Sequence, residues 1–208
     1  MNIRQLGRAA ALAGAFLLTT VPAWAHHVMG GKTPSDFGEG LLAGLGHPVI
    51  GPEHLAFLLA VGVVVGGSGF SLAMPAVFVA AMAVGVLLHV AGMMMPGAEI
   101  FVALSVLLVG YLVARGRALP NLAWSALFAA AGIFHGYAFG ASILGAESTP
   151  IGGYLVGLVI SQSALTIGIA FFVRHMAARF SELAPRLAGA AILGVGFAAL
   201  IGDLIPGA

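Results

Sequence analysis

Six long apolar stretches constrain the fold of this chain more than any other feature of its sequence. They cover residues 49–68, 72–95, 98–114, 121–144, 150–173 and 187–206. Each is close to the roughly 20 residues that an α-helix needs to cross a bilayer. The chain is 61% hydrophobic and only 7% charged, whereas about 25% of the residues of an ordinary soluble domain are charged. The sequence therefore predicts an all-α fold, a polytopic membrane helix bundle of about six transmembrane helices in contact with the lipid bilayer.

The first 25 residues have the pattern of a cleaved signal peptide. Two arginines precede an apolar run over 9–18, and the sequence Ala-Trp-Ala before His26 is typical of a cleavage site. An uncleaved signal anchor is the alternative interpretation. In both cases the segment that begins at His26 is exported. The rest of the chain, residues 26–208, is predicted to form a single transmembrane domain.

Arginines occur in two of the loops between the apolar stretches. Arg115 and Arg117 follow the third stretch, and three more arginines lie between the fifth and the sixth. Because short loops rich in Lys and Arg stay on the cytoplasmic side, both loops are expected there. An exported His26 gives the same orientation when the crossings are counted. The sequence predicts a multi-pass protein of the bacterial inner membrane with both termini in the periplasm.

Charge, cysteine content and missing motifs exclude several classes of protein. The formal net charge is +1, and without a basic cluster no binding to nucleic acid is expected. The chain has no cysteine, which leaves His, Asp, Glu and Met as side chains that could bind a metal ion. No phosphate-binding loop of the form G-x-x-x-x-G-K-[ST] is present. Any transport would therefore be driven by an ion or voltage gradient or by a separate partner.

The densest group of ionisable residues lies at the start of the first apolar stretch. It reads His47-Pro-Val-Ile-Gly-Pro-Glu53-His54. In a straight helix His47 and His54 would lie about 10 Å apart, too far to share one ion. Pro48 and the Gly51-Pro52 pair are expected to interrupt the helix, so that His47 can fold back toward Glu53 and His54 and the three can bind one cation. The alternative is that His47 caps a helix end while Glu53 and His54 are hydrated at the membrane surface.

A second group of polar residues lies in the fourth apolar stretch. It reads Phe134-His135-Gly136-Tyr137-Ala138-Phe139-Gly140, and Glu147 follows it. A histidine deep in an apolar helix costs free energy unless it has a partner, and such residues usually face a pathway. The alternative for His135 is a neutral imidazole that donates to a neighbouring carbonyl. His89, in the second stretch, has no motif around it and fits packing and a pathway equally well.

With these motifs the chain resembles the HupE/UreJ family of nickel and cobalt permeases. The resemblance covers most of the mature chain and rests on these positions: His26, His47-Pro48, Gly51, Glu53, His54, Phe134-His135-Gly136, Ala138, Gly140 and Glu147. Glu53 takes the place of an aspartate in the family pattern. Phe139 and Ala141 stand where many members have a histidine or tyrosine and an acid. The resemblance implies that Glu147 supplies the carboxylate of the second motif.

Together, the residues and the resemblance predict secondary uptake of Ni²⁺ or Co²⁺ through a periplasm-facing site. The predicted metal ligands are His26, His47, Glu53, His54, His89, His135 and Glu147. The divalent metal ion would be cargo, no cofactor is expected, and the protein would not be an enzyme. One alternative is an intramembrane zinc hydrolase with His54, His89 and His135 as zinc ligands. The other is a metal-binding accessory protein that does not transport.

Overall fold

The computed structural model describes residues 32–116, 119–178, 181 and 183–205. The regular structure in these ranges is entirely helical. It consists of α1 (Phe37–Ile50), α2 (Pro52–Gly67), α3 (Pro75–Val90), α4 (Ala98–Ala114), α5 (Asn121–Gly140), α6 (Ser148–Met176) and α7 (Leu183–Leu204), with a short 3₁₀ turn at Ala141–Ile143. The predicted signal peptide and His26 lie outside the described residues. The all-α prediction is confirmed for the part of the chain that the structure describes.

The first two helices form a single apolar segment with a sharp bend. The carboxylate of Asp36 caps the start of α1 by accepting from the backbone N–H of Glu39. The helix continues through Pro48 and ends at Ile50, and after the C-cap residue Gly51 the second helix begins at Pro52 at an angle of 80°. The expectation that Pro48 interrupts the helix is therefore wrong, and the break lies at Gly51-Pro52.

A hydroxyl group from another helix compensates for Pro48. Because proline has no N–H, it leaves the carbonyl of the residue four positions earlier without its helical hydrogen bond. That residue is Gly44, and its carbonyl accepts a hydrogen bond of 3.3 Å from Ser161 on α6. The helix can therefore pass through the proline without leaving a buried acceptor unsatisfied.

Glycines allow three pairs of helices to come close together. A Cβ at Gly136 of α5 would overlap the carbonyl of Met82 on α3, and a Cβ at Gly44 of α1 would overlap that of Tyr154 on α6. Gly189 of α7 approaches the backbone of α4 in the same way. Contacts between apolar side chains stabilise a helix pair little in lipid, because the lipid tails are equally apolar. Membrane helices therefore associate largely through such close packing of small residues. The glycines thus set the spacing of the bundle.

The apolar helices identify a multi-pass membrane protein. Among the described residues, α5 with its 3₁₀ turn, α6 and α7 are each long and apolar enough to cross a bilayer, and the bent pair of α1 and α2 adds a fourth span if it is counted as one. The helices α3 and α4 have 16 and 17 residues. They are therefore about 24 to 26 Å long, somewhat less than the roughly 30 Å of a hydrocarbon core. Six crossings thus stay a prediction.

Candidate metal site

The two sequence motifs meet inside the bundle through one histidine from each. His54 lies in the first turn of α2, and His135 lies near the end of α5. Their Nδ1 atoms are 2.8 Å apart, although 81 positions separate the two residues in the chain. Both side chains are buried, with exposed fractions of 7% for His54 and 1% for His135. We call them the histidine pair.

An oxygen atom lies at the other ring nitrogen of each histidine. Oε1 of Glu53 lies 3.5 Å from Nε2 of His54, and Oγ of Ser105, on α4, lies 2.9 Å from Nε2 of His135. The Ser105 hydroxyl donates its proton to the carbonyl of Val102 at 2.7 Å, so its oxygen can accept from Nε2–H of His135. A carboxylate can only accept, so Glu53 favours the same tautomer of His54.

This pattern of acceptors has a direct consequence for the space between the two rings. With both Nε2 atoms protonated, the Nδ1 lone pairs of His54 and His135 face each other across 2.8 Å. Two lone pairs at this distance repel unless a cation, either a proton or a metal ion, lies between them. Two nitrogen ligands at about 2.1 Å from one ion, at right angles to each other, are separated by about 3 Å. The histidine pair therefore has a separation that suits two ligands of a single ion.

Aromatic side chains form an apolar wall around the histidine pair. The ring centroid of Phe57 lies 4.6 Å from that of His135, and the ring centroid of Phe139 lies 4.2 Å from that of His54. Both phenylalanines are fully buried. Such a wall keeps water away and makes electrostatic interactions within the site stronger than they would be in water.

His47 also lies against Phe139. Its ring centroid is 4.8 Å from that of Phe139, so one aromatic ring contacts both His47 and His54. The hydroxyl of Tyr154, on α6, lies 3.1 Å from Nδ1 of His47 and 3.0 Å from the carbonyl oxygen of Phe139. Phe139 thus contacts the rings of both His47 and His54, and the hydroxyl of Tyr154 holds the imidazole of His47 in place.

Comparison with known proteins assigns the family. The family described as HupE / UreJ protein matches residues 14–199. The chain belongs to the HupE/UreJ family. Protein HupE of Rhizobium leguminosarum bv. viciae is 31% identical to it over 169 residues, which cover 79% of this chain and 86% of that relative. No solved structure matches the chain. The resemblance inferred from the motifs is confirmed.

His89 of this HupE/UreJ protein lies in a different environment from the histidine pair. Its Nδ1 is 2.7 Å from the carbonyl oxygen of Tyr137, and the two rings pack with centroids 4.2 Å apart. It lines a cavity of about 280 Å³ together with Glu99 and Asp203. The sequence left packing and a pathway equally open for His89, and the structure shows both a carbonyl partner and a cavity at this residue.

Two further observations show that some of the predicted ligands do not lie together in the structure. Glu147 is exposed, occupies the N-cap position of α6 and makes no capping hydrogen bond with its side chain. Within the described ranges, no three His, Cys, Asp or Glu side chains are grouped closely enough to hold a metal ion. The trio of His54, His89 and His135 that a zinc hydrolase would need is therefore not assembled in this HupE/UreJ protein.

Ser105 and Tyr154 belong to the site although no motif in the sequence marks them. Ser105 is the only hydroxyl-bearing residue in the middle of the apolar helix α4, and a single serine there carries no recognisable pattern. Tyr154 lies on α6, seven residues after Glu147 and outside both motifs. Only the packing of α4 and α6 against the HupE/UreJ motifs reveals their roles as partners of His135 and His47.

Proposed function

We propose that this protein takes up a divalent transition metal ion, Ni²⁺ or Co²⁺, across the bacterial inner membrane. The observation that carries the proposal is the buried histidine pair, in which two Nδ1 atoms face each other at 2.8 Å. Membership of the HupE/UreJ family, which is associated with nickel and cobalt handling, supports the same conclusion. The metal ion is cargo in this proposal.

The donor atoms favour these ions over other common cations. Imidazole nitrogen is a good ligand for late first-row transition metals, whereas Mg²⁺ and Ca²⁺ prefer sites made only of oxygen. Glu53 would orient His54 and increase its basicity, as carboxylates behind metal-binding histidines generally do. A proton between the Nδ1 atoms would have to leave before the ion binds, so uptake should be linked to proton release.

The other predicted ligands would contact the metal ion before or beside the histidine pair. We propose that the signal peptide is cleaved, that six crossings follow, and that the mature N-terminus lies in the periplasm. His26 would then capture the ion at the outer surface, and Glu147 would attract it there. His47 would bind the ion next, before it reaches His54. His89 would contact the ion in the separate cavity that it lines, and not at the histidine pair.

Metal uptake by the purified, processed protein in liposomes tests the proposal. We expect Ni²⁺ or Co²⁺ to accumulate with the wild-type protein, and His54→Ala and His135→Ala to lower the initial rate at least tenfold, because each removes one of two buried ligands. His175→Ala is the matched control. His175 lies at the far end of α6, where its Nδ1 is 2.9 Å from the carbonyl oxygen of Phe171.

The outcomes of this experiment are distinct. Uptake by His54→Ala and His135→Ala at the rate of His175→Ala would remove the histidine pair from the pathway. Metal binding without any accumulation by the wild-type protein would instead favour the accessory protein. Release of a product hydrolysed from a lipid amide or ester in the presence of Zn²⁺ would favour the hydrolase.

A further inference from the structure

A glutamine in the middle of α6 has a buried side-chain amide without a hydrogen-bond partner among the described residues. Gln162 is the fifteenth of the 29 residues of α6 and is 0% exposed. Neither its Nε2 nor its Oε1 has a partner within the described part of the chain. Its backbone carbonyl does accept a hydrogen bond of 2.7 Å from Thr166. A buried amide of this kind destabilises the protein unless another state or a ligand satisfies it.

Gln162 belongs to a buried row on α6 that starts at the candidate metal site. Tyr154, Leu158, Gln162 and Thr166 follow one another at intervals of four residues and are all buried, so they lie along one face of the helix. The first of them, Tyr154, contacts His47 through its hydroxyl. Eight residues separate Tyr154 from Gln162, a distance of about 12 Å along the helix axis.

The contacts between α2 and α6 indicate how far Gln162 lies from the histidine pair along the axis of α2. Gly62 of α2 lies beside Thr166, and Gly66 lies beside Ala170, so the two helices run side by side in the same direction. Counting one helical turn back from Thr166 places Gln162 beside the turn of α2 that contains Leu58. This turn is one turn beyond His54, about 6 Å further from the start of α2.

We infer that Gln162 is a second binding position for the divalent metal ion, which it contacts through its amide oxygen after the ion leaves the histidine pair. The inference rests on the proposed function. An amide oxygen is a neutral ligand that binds Ni²⁺ or Co²⁺ less tightly than imidazole does. A transported ion needs sites that are favourable enough to enter and weak enough to leave, which fits a neutral ligand in the second position.

A role in helix packing alone does not account for Gln162. Glutamine can hold membrane helices together through interhelical hydrogen bonds, but such a role requires a partner for the amide. The neighbouring Ser161 does have one, since its hydroxyl donates to Gly44 across the contact between α1 and α6. Ser161 is therefore a packing residue, and it provides a control adjacent to Gln162.

The test compares Gln162→Met with Ser161→Ala in three measurements. These are equilibrium binding of Ni²⁺ to the purified protein, its unfolding temperature in detergent, and initial uptake in liposomes. Methionine has nearly the length of glutamine but lacks the amide. We expect Gln162→Met to keep Ni²⁺ binding within twofold and to unfold at the same or a higher temperature, because an unsatisfied polar group is removed. Its uptake should fall about tenfold, the effect of losing one interaction with a charged group.

Each other outcome overturns the inference in a different way. If Gln162→Met takes up Ni²⁺ at the wild-type rate while His54→Ala does not, Gln162 is no binding position and the proposed function stands. A lower unfolding temperature together with lost binding would assign Gln162 a structural role. An equal loss of uptake in Ser161→Ala would trace the effect to packing of α6. If the wild-type protein takes up neither Ni²⁺ nor Co²⁺, the proposed function and the inference fail together.

Discussion

Removing the hydroxyl of Ser105 should weaken metal binding by the histidine pair, even though Ser105 is not placed as a ligand. Its oxygen lies 2.9 Å from Nε2 of His135 and favours the tautomer with the proton on that nitrogen. In Ser105→Ala this proton has no acceptor. The imidazole of His135 would then carry its proton on Nδ1 and donate it to Nδ1 of His54, 2.8 Å away. The proton would occupy the position that the metal ion needs.

The size of the effect follows from the burial of His135. The side chain is 1% exposed, so water cannot replace the lost hydroxyl. Restoring the tautomer that binds metal would leave a buried N–H without an acceptor, which costs about 1 to 3 kcal/mol. Since 1.4 kcal/mol corresponds to a factor of ten, the metal affinity should fall by about fivefold to 150-fold.

Initial uptake measured against metal concentration gives the half-saturating concentration for each variant. Ser105→Ala should raise it within the calculated range, whereas Ser105→Thr keeps the hydroxyl and should restore most of the affinity. Ser125→Ala is the control on α5, because the Ser125 hydroxyl donates to the side chain of Asn121 within the same helix. A half-saturating concentration for Ser105→Ala equal to that of the wild type would refute the tautomer argument.

Two further predictions concern the packing and the orientation of the helices. Gly136→Ala would force its Cβ into the carbonyl of Met82. This variant should destabilise the protein by about 1 to 3 kcal/mol or more and lose uptake. The control Gly168→Ala places its Cβ in open space and should be neutral or stabilise α6 by up to about 1 kcal/mol. Unfolding in detergent compares the two, and equal unfolding temperatures would contradict the packing account. Cysteines introduced at Ser148 and Ser181 should react with an impermeant reagent from the periplasm and from the cytoplasm, respectively, and reversed labelling would contradict the proposed orientation.

The helices were largely predictable because the length of an apolar run can be read directly from the sequence. Five of the described helices, α2, α3, α4, α5 and α7, fall mainly within single predicted stretches, and α6 extends beyond its stretch at both ends. The exception is α1. Pro48 and the nearby glycines predicted an interruption, but Ser161 supplies the hydrogen bond that proline removes. Compensation by a residue more than a hundred positions away has no local signature.

The sequence singled out the ionisable residues of the candidate site, but neither its hydroxyl partners Ser105 and Tyr154 nor its geometry. The motifs identified His54, His135 and Glu53 because ionisable residues are rare in apolar helices. The contact between His54 and His135 depends on how α2, α4 and α5 pack, and packing is set by many small contacts without a simple sequence pattern. For His89, a histidine without a motif, the structure shows the hydrogen bond to the Tyr137 carbonyl.

The position of His54 at the beginning of a helix has an electrostatic consequence. Because the chain bends at Gly51 and α2 starts anew at Pro52, His54 lies in the first turn of α2, where the helix dipole contributes about half a positive charge. A cation on the histidine pair would be repelled by this end of the helix. The carboxylate of Glu53, in the same turn, offsets the repulsion. In the proposed uptake, a site balanced in this way would attract a divalent ion without trapping it, so that the ion can be released on the other side of the membrane.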